Sequence, residues 1–237
     1  MRTGAQQRGR GVDSGVLALF VSAAKPFDAA ARPTSSHLAQ EFDKLDVVNH
    51  VIATEETVEI AANWKILVEG GIEAYHFKVA HRNTISPFFE DNLSSYQCVG
   101  DHMRSILPRV TMAELPAQPR EDWHMRDHAN VLYSLSPTAT FLVQQDHVAM
   151  IPANPVAKDS TILRIATLVP AEMTNDSERW ARNHKITRVT LDEDFALGKD
   201  IQAGLTSGAD SELMFGRFEG ALGAFNQIVA DTIASAD

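Results

Sequence analysis

The sequence predicts an α+β domain in which a run of strands is followed by a run of helices. Three observations support this class. Segments rich in β-branched and aromatic residues recur at hairpin spacings between residues 88 and 170. Strand signals then stop, and two helical segments are predicted at 176–204 and 210–235. Strands grouped ahead of helices favour an antiparallel sheet over alternating βαβ units.

Composition limits the classes of function. The 237 residues, 44% of them hydrophobic, fit one large globular domain. A net charge of −10 argues against nucleic acid or an anionic membrane surface as a partner. No run of 18 apolar residues occurs, so no transmembrane helix is expected. The single cysteine, Cys98, excludes an internal disulfide and any iron–sulfur cluster held wholly by this chain, and it fits a cytoplasmic protein.

The first residues differ in composition from the rest of the chain. Residues 1–15 are rich in Gly, Arg and Gln, which predicts a disordered segment ahead of a single domain at 16–237. Three arginines before the apolar stretch Val16–Val21 imitate a secretory signal. That stretch has only six residues, which favours the alternative, a buried strand "GVLALFV".

The elements that follow are predicted from periodicity. The segment "HLAQEFDKL" is predicted to be a helix capped by Ser35 or Ser36, and "VVNHVIAT" and "ETVEIAA" are predicted to be strands. From Asn63 an apolar stripe at helical spacing predicts a helix that reaches Tyr75. Gly70 and Gly71 weaken that helix by roughly 1 kcal/mol each. The strands of the antiparallel sheet are expected in "YQCVG", "MRSILPRV", "HMRDHANVLYSL", "ATFLVQQD", "HVAMIPAN" and "STILRIATLVP".

The segment "NWKILVEGGIEAYHFKVAH" carries the clearest chemistry. Glu73, His76 and His81 fall within nine residues. Two imidazoles and one carboxylate form the facial triad that binds Fe(II) and leaves coordination positions open. An unbroken helix would place the two histidines about 140° apart around its axis. We therefore expect the helix to loosen or end between them.

Histidine spacing alone is weak, but the wider pattern is specific. "NWK…E..YH….H" resembles the iron-binding segment of Rieske oxygenase α subunits. In that family the third ligand is a distant carboxylate followed eight positions later by a glutamine, and "LDEDFALGKDIQ" matches with Asp194 and Gln202. The resemblance implies a metal site made by His76, His81 and Asp194. Asp192 and Glu193 remain competitors, and "DEDF" is also typical of an acidic helix start.

The resemblance suggests a role for one further residue. It implies that Glu73 is an electron-transfer bridge between the iron site and the Rieske cluster of a neighbouring subunit. Orientation of His76 by Glu73 is nearly as well supported. His124 and His128 are a rival metal site, because a helix would bring both histidines to one metal ion. The flanking sequence argues against a helix there, since it is loop-like on one side and strand-like on the other.

The family resemblance also implies a fold and an activity. The expected fold is a helix-grip (Bet v 1-like) domain, in which a curved antiparallel sheet wraps long C-terminal helices. The expected activity is Fe(II)-dependent hydroxylation, dihydroxylation or demethylation of a small organic, possibly aromatic, substrate, with O2 as co-substrate. Electrons would come indirectly from NAD(P)H through separate reductase and Rieske or ferredoxin proteins, and the assembly would be a homotrimer.

One part of the family pattern is missing. The C-x-H and C-x2-H pairs that hold the [2Fe-2S] cluster do not occur in this sequence. The chain is therefore expected to be a fragment, an oxygenase whose Rieske domain is a separate polypeptide, or a domain without catalytic function, and the first is favoured. The alternative in a different class is a non-catalytic helix-grip protein that binds a ligand in its apolar cavity.

Overall fold

The computed structural model describes residues 34–208, 214–217 and 219–235. The predictions for the first residues, which are the disordered segment 1–15, the signal-like stretch and the strand "GVLALFV", lie outside the described residues. The start of the domain at residue 16 therefore stays a prediction.

The described chain folds around a seven-stranded antiparallel sheet. The strands lie in the order β1-β7-β6-β5-β4-β3-β2. They are β1 His50–Ile60, β2 Ser95–Val99, β3 His102–Pro108, β4 Ala129–Leu135, β5 Ala139–Val143, β6 Val148–Ala157 and β7 Ser160–Pro170. From β2 to β7, each strand pairs with the strand that follows it in the sequence. The exception is β1, which pairs with β7, so the first strand lies beside the last.

Helices precede, interrupt and follow the sheet. They are α1 Thr34–Leu45, α2 Trp64–Ile72, α3 Phe77–Ala80, α4 Met125–His128, α5 Ser177–Ser207 and α6 Gly220–Ala234. Strands grouped ahead of two long helices confirm the α+β class, and the curved sheet with its long C-terminal helix confirms the helix-grip architecture. No described helix combines the length and the apolar character needed to cross a lipid bilayer.

Two local predictions near the start of the described chain need correction. The predicted strands at 47–54 and 56–62 form one strand, β1, preceded by a 3-10 turn at Val47–Asn49. Its burial alternates along most of its length, as expected for an edge strand with one face in solvent. The helix α1 begins at Thr34, so Ser35 and Ser36 lie inside its first turn instead of before it.

The two faces of the sheet carry different structures, because successive strand side chains point to opposite sides. On one face, Phe42 of α1 packs against Tyr133 and Phe141, with ring centroids 5.0 and 5.4 Å apart. The other face packs against α2, α5 and α6, where Phe195 and Phe225 are buried. The long helices thus lie over one face and α1 over the other.

The core under α1 gives a first testable prediction. Phe141 has no exposed side-chain surface. Phe141→Ala removes the ring from between α1 and the sheet, and we expect the free energy of unfolding to fall by about 3–5 kcal/mol. Urea denaturation followed by circular dichroism measures the change. Phe88→Ala is the control, because Phe88 is 59% exposed and should cost far less. Equal losses in the two variants would contradict this packing.

Candidate metal centre

The helix α2 is fixed at its start and stopped abruptly at its end. Asn63 caps it, since its side-chain oxygen accepts from the Lys65 backbone N at 3.0 Å. Helical geometry ends at Ile72, and Glu73 adopts an extended conformation with φ −123° and ψ 165°. The predicted helix reaching Tyr75 is therefore three residues too long. The early end turns the chain toward the site.

The two histidines flank a single helical turn. His76 precedes the four-residue helix α3 and His81 follows it. The expected break in the helix is present, but it lies at Glu73, ahead of both histidines instead of between them. Glu73 and His76 lie three residues apart, a spacing that would bring their side chains to one face of a continuous helix. They do meet, through this turn of irregular backbone.

His76, His81 and Asp194 come together in the structure. The two Nε2 atoms lie 3.1 Å apart. The Asp194 Oδ1 atom lies 3.0 Å from the His81 Nε2 and 3.5 Å from the His76 Nε2. Among the residues that the structure describes, this is the one group of three or more His, Cys, Asp or Glu side chains whose ligand atoms come close enough to share a metal ion.

Asp194 reaches the histidines from the middle of α5, and its two acidic neighbours point elsewhere. Asp192 forms an ion pair with Arg188 one turn earlier and is half exposed. Glu193 accepts hydrogen bonds from His81 Nδ1 and from Thr84 Oγ1, each at 2.7 Å. Of the three acidic candidates, Asp194 is thus the one that faces both imidazoles. Asp192 lies two residues before Asp194, about 200° around the helix, which agrees with its outward position.

A carboxylate holds the outer nitrogen of each imidazole. His76 Nδ1 lies 2.5 Å from the Glu73 Oε1, and His81 Nδ1 lies 2.7 Å from the Glu193 Oε2. When these nitrogens carry the proton, each ring presents an unprotonated Nε2 to the common centre. This is the tautomer that a metal ligand requires, and carboxylate–histidine pairs are the usual means of setting it.

The charges in the cluster shift the pKa values of its members. Burial lowers the pKa of the His76 imidazole, but hydrogen bonds and charges from Asp194 and Glu73 outweigh it and raise the pKa to about 9. Burial of His81 is likewise outweighed by Asp194, then Glu193, and its pKa is raised. Burial raises the pKa of Asp194, but hydrogen bonds from both imidazoles dominate and lower it. The centre therefore attracts positive charge.

A hydrogen bond to Gln202 joins the helix that carries Asp194 to the helix that precedes the two histidines. The Gln202 Oε1 accepts from the Asn63 backbone N at 2.8 Å, so it joins α5 to the start of α2. Closer to the site, Gly198 lets α5 approach α2, because a Cβ there would lie 3.1 Å from the Leu67 Cδ2. Gly70 and Gly71 have no such close neighbour and instead line an open space.

That space is a cavity of about 1110 Å³ beside the three clustered residues. Glu73, His76, His81 and Asp194 all contribute to its wall. Much of the remaining wall is apolar and includes Phe77, Phe89, Leu107, Leu132 and Leu142. The volume exceeds that of most small-molecule sites, which span about 300–1,000 Å³.

Sequence reasoning missed several residues of the site. Thr84 binds Glu193, and Arg109 and Asn130 line the cavity. Thr84 follows His81 by only three residues, and this closeness in the sequence could have marked it as part of the site. Asn130 lies in β4 and Arg109 directly follows its partner strand β3, and a single sequence does not reveal that these two strands pair.

The rival histidine pair does not form a metal site in the structure. His124 is exposed just ahead of α4. His128 ends that helix, and its Nδ1 contacts the Thr111 carbonyl oxygen at 3.0 Å. Within the described ranges the two do not belong to any cluster with metal-binding distances.

Comparison with known proteins identifies related sequences and folds. Residues 47–235 match the family described as "Ring hydroxylating alpha subunit (catalytic domain)". A comparison with curated proteins finds no significant match. Among solved structures, the quaternary ammonium Rieske monooxygenase CntA in complex with an inhibitor has a TM-score of 0.63 at 19% identity, and the alignment covers 87% of this chain and 58% of that one. Dicamba monooxygenase bound to dicamba has a TM-score of 0.52 at 15% identity, with 77% and 59% covered.

The Gln202 contact gives the second prediction. Gln202→Ala leaves the partly buried Asn63 N–H without its acceptor, and we expect the free energy of unfolding to fall by about 1–2 kcal/mol. Chemical denaturation measures it. The control is Gln227→Ala, since that side chain is exposed and bonds only to Asp231 on its own helix. A loss no larger than the control's would show that the contact does not join the helices.

Proposed function

The chain belongs to the family of ring-hydroxylating α subunits, of which it carries the catalytic domain, and we propose that it binds Fe(II) and oxidises a small organic substrate with O2. The observation that carries the proposal is the convergence of His76, His81 and Asp194 beside the large cavity. Two imidazoles and a carboxylate are the donor set of non-haem Fe(II) oxygenases. The family implies a mononuclear iron site of this kind.

The residues present fit such an ion. Both Nε2 atoms and a carboxylate oxygen point to one centre, and each imidazole is held from behind by a carboxylate. We propose that His76, His81 and Asp194 are the three ligands. Fe(II) bound there would supply the redox chemistry that joins oxygen from O2 to the substrate, as hydroxylation, dihydroxylation or demethylation.

The outer carboxylates position the ligands. Glu193 and Thr84 form one hydrogen-bonded unit with His81, which is 1% exposed and hence has little freedom to turn. Glu73 is buried, and it binds His76 through one oxygen and the Tyr75 backbone N through the other. Because both oxygens of Glu73 are engaged inside this chain, we favour orientation of His76 as its role over a bridge to a neighbouring cluster.

The cavity supplies the place for the substrate. Its mainly apolar wall gives an organic molecule a surface to pack on. Structures of the CntA monooxygenase include complexes with L-carnitine, and one of dicamba monooxygenase holds dicamba. Small organic ligands in two proteins of this fold support a small organic substrate here.

The source of the electrons is a further part of the proposal. With Cys98 as its single cysteine, this chain does not hold a [2Fe-2S] cluster by itself. The chain spans less than three fifths of the solved structures named above. We propose that a Rieske or ferredoxin protein delivers electrons that a reductase takes from NAD(P)H. A homotrimer is proposed as the assembly, and inter-subunit electron transfer is described for a quaternary ammonium Rieske monooxygenase.

The family membership favours this oxygenase over the non-catalytic ligand-binding alternative. A cavity that only binds ligands has no need of two buried or partly buried imidazoles facing an aspartate, each with its own carboxylate partner. The three carboxylates of the cluster, Glu73, Glu193 and Asp194, outnumber its two imidazoles, so a bound cation would balance the excess negative charge.

Metal binding is the direct test of the proposal. We expect the anaerobically reconstituted protein to bind Fe(II), and Asp194→Ala or His81→Ala to raise its Kd by at least ~100-fold, because loss of an outer partner already costs ~10–100-fold. Isothermal titration under nitrogen measures both. The matched control is Asp192→Ala, two residues away on α5 and outside the centre. The ligand assignment is wrong if wild type binds no more Fe(II) than Asp194→Ala.

The two roles considered for Glu73 predict different results. Glu73→Gln removes the negative charge beside His76 Nδ1, and orientation of His76 predicts Fe(II) binding weakened ~10–100-fold. A bridge alone predicts unchanged Fe(II) affinity with slower reduction of the site by a Rieske donor. Titration with Fe(II) and stopped-flow reduction separate them. Unchanged affinity would contradict the orienting role.

A further inference from the structure

Polar groups without partners lie in the wall of the cavity. Among the described residues, three buried side-chain polar atoms have no hydrogen-bond partner, and two of these, the Arg109 Nε and the Asn130 Oδ1, belong to residues that line the cavity. Asn130 is 4% exposed. Leaving such groups unpaired costs free energy, so a buried unpaired donor or acceptor indicates a missing partner.

The sheet places these two residues side by side. Asn130 at the start of β4 pairs with Leu107 of β3, and Arg109 follows Leu107 by two residues in extended conformation. The backbone N of Arg109 continues the pairing by donating to the His128 carbonyl oxygen at 2.8 Å. Arg109 and Asn130 are therefore diagonal neighbours on one face, with Cα atoms roughly 7–8 Å apart, within reach of one small group.

A row of aromatic rings connects Arg109 to the proposed iron ligands. Its guanidinium carbon lies 5.6 Å from the centroid of the Phe89 ring. Phe89 stands edge-on to Phe77 at 5.4 Å, and Phe77 stands edge-on to His81 at 5.3 Å. Leu107, Leu132 and Leu142 pack against the same rings. A ligand held at Arg109 would thus extend its apolar part along these rings toward the centre.

Arg109 differs from the other cations of the cavity wall. Arg179 forms an ion pair with Asp146. Arg182 and Lys185 are exposed on α5. Across residues 34–208, 214–217 and 219–235, no carboxylate lies within ion-pair distance of Arg109. Its charge is therefore available to a ligand.

We propose that Arg109 and Asn130 form an anion subsite that holds the carboxylate of a substrate with an apolar body. A guanidinium binds a carboxylate with two parallel hydrogen bonds, and the free Nε with a neighbouring Nη provides one such edge. Rotation of the Asn130 amide exchanges its oxygen and nitrogen, so it can add a third N–H donor. The substrate role of this site rests on the proposed oxygenase function, whereas the binding itself does not.

Binding of paired probes tests the subsite. Isothermal titration of the full chain, anaerobic and with or without Fe(II), uses benzoate, phenylacetate and hexanoate, each against its neutral amide. We expect at least one of the carboxylates to bind ~10-fold or more tightly than its amide, since charge-assisted hydrogen bonds are the stronger ones. If no carboxylate is preferred over its amide, the proposal is overturned.

Variants assign the preference to residues. Arg109→Gln should abolish the preference for carboxylates, and Arg109→Lys should reduce it, because a lysine lacks the two-bond edge. The matched control is Arg120→Gln, an arginine that also lies over a ring, that of Trp123, but outside the cavity. A preference that survives Arg109→Gln overturns the assignment.

A variant at a second residue keeps the proposal testable if the Arg109 variants do not fold. Asn130→Asp places a negative charge beside the bound carboxylate with almost no change in volume, and it should weaken carboxylate binding ~10-fold or more. Unchanged affinity in a folded Asn130→Asp protein contradicts the subsite. If the wild-type protein binds carboxylates but no Fe(II), the anion subsite stands and the oxygenase function is refuted. If it binds Fe(II) but shows no preference for carboxylates, the oxygenase function stands and the anion subsite is refuted.

Discussion

The rest of the structure depends on one constraint. Two imidazole nitrogens from the α2–α3 segment and one carboxylate oxygen from α5 must come together at a single point. His76 and His81 stand with their Nε2 atoms 3.1 Å apart, and Asp194 is drawn in from a helix more than a hundred residues later. Hydrogen bonds to the outer nitrogens of the imidazoles are needed to hold these rings in place. Glu73, Glu193 and Thr84 provide it directly, and the bond from Gln202 to the start of α2 holds the two helices in register.

The sheet contributes the second half of the site. Because side chains alternate along β4 and β5, Tyr133 and Phe141 pack under α1 while Leu132 and Leu142 face the cavity. The same alternation places Asn130 on the cavity face. One set of strands therefore builds a rigid core on one side and a substrate wall on the other, and the helices that bring the ligands close that wall.

Much of this was predictable from the sequence, for identifiable reasons. The succession of strands before two long helices follows from local patterns, whereas the histidine pair and Asp194 follow from the resemblance to a family motif. The early end of α2 at Ile72 was missed, because tertiary placement of His76 overrides the helical stripe that continues to Tyr75. The sequence indicates Glu193 only as a competing ligand, because its contact with His81 depends on where α3 places that imidazole ring. Arg109 and Asn130 become diagonal neighbours only through the pairing of β3 with β4, which no local pattern in one sequence specifies.

We propose that His76, His81 and Asp194 bind Fe(II) at the wall of a cavity that accommodates an organic substrate. X-ray absorption at the iron edge of the anaerobically loaded protein tests it most directly. We expect scattering from two imidazole rings, with oxygen atoms as the remaining ligands, and the loss of one imidazole contribution in His76→Ala. Iron that shows no imidazole scattering, or the same imidazole scattering in that variant, would contradict it.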